Sequence, residues 1–115
     1  MAAEHTDLTK QECEPCKGDT PSLGPEDIEG YMDQLGEEWS VERGHHLTAE
    51  YGFDDFRQAL DFTNEVGKLA EQEGHHPDIR LSWGKVGIEL YTHEANGLTR
   101  NDFILAAKIS SLQGD

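Results

Sequence analysis

At 115 residues the chain has room for one domain and not for two. Its formal charge of −15 leaves nothing to neutralise phosphates, which excludes nucleic acid as a direct partner, and no apolar run is long enough to span a bilayer. The start, Met1-Ala-Ala-Glu-His-Thr-Asp, lacks the basic and apolar regions of a secretory signal, so the expected compartment is cytoplasmic. The charge is uneven: residues 1–38 hold eleven acids against Lys10 and Lys17. With only five lysines in all, so acidic a surface would suit a halophilic host. The hydrophobic fraction of 35% borders on disorder, yet from Trp39 onward apolar residues recur at regular periods, as in a folded core.

Residues 1–24 read as an irregular acidic arm broken by Pro15, Gly18, Pro21 and Gly24, leaving residues 25–115 as the domain. Within the arm, Cys13 and Cys16 form a single Cys-x-x-Cys, half of a tetrahedral zinc site with no second ligand pair nearby. A redox reading would want a strand before the pair and a helix starting in it, and Glu14-Pro15 does not fit. A non-catalytic feature of the arm is the leading reading, with a shared metal or redox chemistry as alternatives.

Pro25 suits the first turn of a helix running to about Leu35, with Ile28, Tyr31, Met32 and Leu35 on one stripe. Trp39, Val41 and Arg43, then Leu47, Ala49, Tyr51 and Phe53, alternate with polar residues across Gly44-His45 and predict a β-hairpin. Asp54 or Asp55 caps a second helix whose stripe is Phe56, Ala59, Leu60, Thr63, Val66, Leu69 and Ala70, closed by Gly74. Ile79–Trp83 and Val86–Leu90 form a second hairpin around Gly84-Lys85. Thr99-x-x-Asp102 is a capping box opening a last helix with Phe103, Ile104, Ala107 and Leu112. The order α-β-β-α-β-β-α predicts an α+β fold, a four-stranded antiparallel sheet with three helices on one face.

The chemistry concentrates at Glu71-x-x-x-His75-His76-Pro77 and Thr92-His93-Glu94. Pro77 disfavours helix at His76, so both histidines follow a helix C-terminus, where the dipole favours imidazolium. Glu71, four residues before His75, is spaced to pair with it. A loop at Gly84-Lys85 would pair Trp83 with Val86, Leu81 with Ile88 and Ile79 with Leu90. The same register carried onward sets His76 opposite His93. Three readings compete for this cluster: incidental surface histidines, a metal site, and paired histidines acting as general acid and base. Adjacent His75-His76 is awkward for one metal because neighbours in extended chain point to opposite faces. His45-His46 falls in a predicted turn without Pro, helix or partner, and is assigned no chemistry.

Glu71-x-x-x-His75-His76-Pro77, Trp83, Thr92-His93 and Gly97-Leu98-Thr99-x-x-Asp102-Phe103 together resemble the signature of the pterin-4a-carbinolamine dehydratase family, over about residues 25–112. The resemblance implies a metal-free, cofactor-free hydro-lyase that dehydrates 4a-hydroxytetrahydrobiopterin to quinonoid dihydropterin, recycling the cofactor of aromatic amino acid hydroxylases. It implies a homodimer or homotetramer paired through sheet edges. By the same resemblance His75 and His93 act as acid or base, His76 holds substrate and Glu71 orients His75. Gly74, Tyr91, Thr92 and Glu94 are candidates to bind the pterin. Gly74 departs from the family, whose members often carry Asp or Asn there. The alternatives on this scaffold are another pterin, such as one linked to molybdopterin metabolism, or a non-catalytic role as a dimerisation partner of a transcription factor.

Overall fold

The structure, a computed structural model, describes Leu8 and residues 21–112. Helix α1 spans Pro25–Met32, β1 Trp39–Glu42, β2 His46–Gly52, α2 Phe56–Glu73, β3 Asp78–Ser82, β4 Lys85–Leu90 and α3 Arg100–Ser111. A three-residue 3₁₀ turn, His93–Ala95, lies between β4 and α3. The expected element order and four-stranded antiparallel sheet are both present, the strands in the order β1-β2-β4-β3. Cys13 and Cys16 lie outside the described residues. Leu8, although it belongs to the predicted arm, is buried in the core, and the Leu23 amide donates to the Leu98 carbonyl.

Local chemistry accounts for the element ends. Pro25 opens α1, which stops at Met32, short of Leu35, where the chain tightens into i→i+3 turns. The Asp55 side chain accepts from the Gln58 amide and starts α2; Gly74, left-handed at φ 68°, ends it. Asp102 accepts from the Thr99 amide and completes the capping box of α3. The apolar face of α2 is Ala59, Phe62, Val66 and Ala70, with Phe56 exposed. In α3, Leu105, Ala106 and Ile109 are buried beside Phe103 and Ile104, so this helix is enclosed on most sides rather than amphipathic. On the sheet, Trp39, Leu47, Ala49, Tyr51, Val86, Ile88 and Leu90 form the buried face, and the alternate positions face outward. No described helix is long and apolar enough to cross a membrane.

The second hairpin corrects the predicted register. Its turn is Trp83-Gly84, with Ser82 opposite Lys85, Leu81 opposite Val86 and Ile79 opposite Ile88. Both registers set apolar residues against each other, so alternation alone could not separate them. The neighbouring strand decides: the Phe53 amide donates to the Gly84 carbonyl at 2.8 Å, and Gly52 pairs with Lys85. A Cβ on residue 84 would come within 2.9 Å of the Phe53 carbonyl oxygen, which reserves this position for glycine. Carried onward, the true register sets His76 opposite Tyr91, not opposite His93.

Candidate active site

His75 is the most enclosed of the expected site histidines. The left-handed turn at Gly74 leaves both Gly74 and His75 donating to the Ala70 carbonyl and takes His75 off the α2 helical spacing. Its Nε2 lies 2.6 Å from Oδ1 of Asp102, with the two side chains 13% and 0% exposed. The other oxygen of Asp102 accepts from the Thr92 hydroxyl at 2.8 Å and the Thr99 amide at 2.9 Å. Because the Thr92 proton points to Asp102, the Thr99 hydroxyl is the donor in the 2.8 Å Thr92–Thr99 contact. The capping residue read from sequence as a helix start is thus also the carboxyl that holds His75. A Lys108–Glu73 ion pair of 2.6 Å ties α3 to the end of α2 beside it.

Glu71 pairs with His76, not with His75: its Oε2 is 2.7 Å from His76 Nε2, and both side chains are exposed. The i, i+4 spacing to His75 fails because helical geometry ends at Gly74, between the two residues. Left-handed backbone at position 74 admits Gly, Asn and Asp most readily, which accommodates both this glycine and the Asp or Asn expected of the family.

His93 begins the 3₁₀ turn and is exposed; its Nδ1 lies 3.3 Å from the Tyr91 hydroxyl, and the two rings are 4.4 Å apart. Thr92 is buried, its hydroxyl engaged by Asp102 and its amide donating to the Gly97 carbonyl, so it braces the site from within. Glu94 is exposed on the turn. Through Thr92 and Asp102, two hydrogen bonds connect the backbone beside His93 to the ring of His75. Each of the three imidazoles has one nitrogen engaged, and among the described residues its other nitrogen has no partner. No group of three or more His, Cys, Asp or Glu among the described residues is arranged to hold a metal. A groove of about 470 Å³ lies on the outward sheet face, lined by Ser40, Thr48, Glu50, Arg80 and Glu89 among others, and none of the three histidines borders it.

A profile of the pterin 4 alpha carbinolamine dehydratase family matches residues 21–112. The chain belongs to this family. A family member from Alkaliphilus metalliredigens, whose name as a pterin-4-alpha-carbinolamine dehydratase is provisional, is 49% identical over 108 residues, covering 94% of this chain and 97% of its own. A similarly named protein of Rickettsia canadensis is 47% identical over 106 residues, covering 92% of this chain and 97% of its own. An alignment of 108 residues out of 115 leaves at most seven outside it, so the match reaches into the first 20 residues and includes Cys13 and Cys16. The similarity is therefore longer than the sequence motifs suggested. Among solved structures, a transcriptional coactivator/pterin dehydratase from Brucella melitensis superposes with a TM-score of 0.75 at 28% identity, covering 81% of this chain and 99% of its own. A pterin dehydratase-like protein described as a RuBisCO assembly factor in the alpha-carboxysome shares the fold, with a TM-score of 0.59 at 22% identity and coverage of 69% and 93%.

For this family member, sequence reasoning missed two neighbours of the site residues. Asp102 was visible only as a helix cap, although an acid inside the signature was a signal that it serves the histidines. His45 was set aside as partnerless, yet its ring packs 4.8 Å from Tyr91 and its Nε2 lies 3.3 Å from Asn96 Oδ1. The β2–β4 register explains this: Leu47 opposite Leu90 brings the residues just before β2 beside those just after β4.

Proposed function

We propose that this protein is a 4a-hydroxytetrahydrobiopterin dehydratase that removes water by histidine acid–base chemistry. In that reaction the C4a–O bond breaks as a proton reaches the leaving hydroxyl. N5 loses its proton, and its electron pair forms the N5=C4a bond of quinonoid dihydropterin. Positioned acids and bases typically contribute about 10²–10⁴-fold each to such a step. The observation that carries this reading is His75 held at Nε2 by a buried, fully hydrogen-bonded Asp102. With Nε2 tied to the carboxyl, the ring is fixed in orientation and Nδ1 remains to exchange a proton with substrate. His93 has the opposite arrangement, Nδ1 engaged and Nε2 available, which suits it to the other proton. His76, exposed and steadied by Glu71, is assigned to substrate holding. Tyr91, which packs on His93, and Gly74 and Glu94, next in sequence to His75 and His93, are the candidates for the pterin edge, Thr92 acting from behind. The physiological assembly would be a homodimer or homotetramer, since among the described residues the outer edges of β1 and β3 have no strand partner, and its compartment would be the cytoplasm.

The test is stopped-flow dehydration of a chemically prepared 4a-carbinolamine with chelator present. Acceleration well above the spontaneous rate is expected. A rate equal to buffer would overturn the assignment and favour a binding role on this scaffold; loss of activity on adding chelator would point to a metal.

A further inference from the structure

We propose that His45 is a positioning residue for His93, clamping both flanks of the short turn that carries it; this rests on the dehydratase reading above. The turn is three residues long and held by few bonds of its own: Ala95 to the Thr92 carbonyl, Asn96 to the His93 carbonyl, and the Thr92–Gly97 bridge. Runs of 3₁₀ this short have poor internal geometry and take their precision from outside contacts. His45 supplies such contacts from a different hairpin. Arg43 at φ 56° and Gly44 at φ 66° turn the chain between β1 and β2, and the β2–β4 register delivers His45 next to the residues following Leu90. Before the turn it packs on Tyr91, at 4.8 Å, whose own ring and hydroxyl fix His93 at 4.4 Å and 3.3 Å. After the turn it meets Asn96, which sits in left-handed backbone at φ 51°.

The proton arrangement is consistent. His45 Nδ1 is 3.2 Å from His46 Nδ1, so one of these nitrogens must carry a hydrogen. If His46 donates there, the His45 proton resides on Nε2 and donates to the Asn96 oxygen, satisfying both contacts. His46 in turn lies 3.8 Å from Glu89. None of this requires His45 to touch substrate. Its effect on rate is through the aim of the His93 ring, to which proton transfer is sensitive.

The experiment uses the full chain with His45→Ala, His45→Phe and Asn96→Ala, measuring dehydration kinetics and the imidazole ¹⁵N and ¹H resonances of His93. His45→Ala should lower kcat roughly tenfold with KM changed less than about twofold, and should shift and broaden the His93 signals. His45→Phe, which keeps a ring on Tyr91 but loses the Asn96 bond, should recover part of both; Asn96→Ala should resemble it. Unchanged His93 resonances and kcat in all three variants, in an active wild type, would overturn the clamp and leave the dehydratase reading standing. An inactive wild type whose His93 signals still move in His45→Ala would sink the dehydratase reading and retain the clamp.

Discussion

Two histidine–carboxyl pairs sit on adjacent residues of this protein and are nearly equal in length. His75–Asp102 is 2.6 Å and His76–Glu71 is 2.7 Å, but the first is 13% and 0% exposed and the second 60% and 79%. Distance alone would rank them together; burial separates them. An exposed ion pair is screened by water and contributes about 0–1 kcal/mol. A buried one contributes little net stability against an apolar replacement, yet removing one partner strands the other's polar groups and costs several kcal/mol. The inner pair therefore fixes a geometry on which function can rest, while the outer pair can swing with substrate.

The largest effect should come from Asp102→Ala, which leaves the Thr92 hydroxyl, the Thr99 amide and His75 without their acceptor. Unfolding in denaturant should show a loss of about 3 kcal/mol. In a folded sample at low temperature kcat should fall about 10²-fold. Stability within 0.5 kcal/mol of wild type would erase the distinction between the two pairs.

Next is a pH effect at a separate, part-buried polar cluster, where the Trp39 indole donates to Ser110 and both Ser110 and Tyr51 donate to Glu38. Burial, reinforced by the Glu38 carboxylate, pushes the Tyr51 phenol well above its ordinary value of 10.0. The unfolded chain ionises first, so the stability this group contributes is full below pH 10 and is lost as pH rises beyond it. Tyr51→Phe should show a smaller drop in Tm between pH 9 and pH 11 than wild type. For Glu38, burial alone would raise the carboxyl, but hydrogen bonds from Ser110, its own backbone and Tyr51 hold it below 4.5. Its contribution is present above that value and is lost as pH falls through the depressed folded value.

The smallest effect belongs to the outer pair. Glu71→Gln should change stability by less than about 0.5 kcal/mol, and less still in high salt. A loss approaching that of Asp102→Ala would contradict the comparison.

How much of this was legible in the sequence follows from which contacts are local. The element order, the Gly74 cap and the Thr99–Asp102 capping box depend on residues a few positions apart, and composition reveals them. Leu81 can oppose Val86 or Ile88 with equal apolar sense, so the second hairpin's register needed the Phe53–Gly84 contact from another strand. His45 reaches Tyr91 only because β2 and β4 are neighbours, a pairing between strands far apart in sequence that no local period encodes. Leu105 was passed over for a related reason, since α3 is enclosed on most sides, whereas Phe62, three residues after Ala59 and four before Val66, lies on α2's own stripe and was legible there. The family signature named the histidines together, but their carboxyl partners came from the fold.

The central claim is that His75 and His93 move the two protons, and the most direct measurement is the dehydration rate of a prepared 4a-carbinolamine with wild type, His75→Ala, His93→Ala and the double variant, chelator present throughout. Each single variant should lose up to about 10²-fold in kcat, because solvent and the remaining imidazole partly substitute, and the double variant should lose more than either. Wild-type activity in the folded double variant would contradict the account.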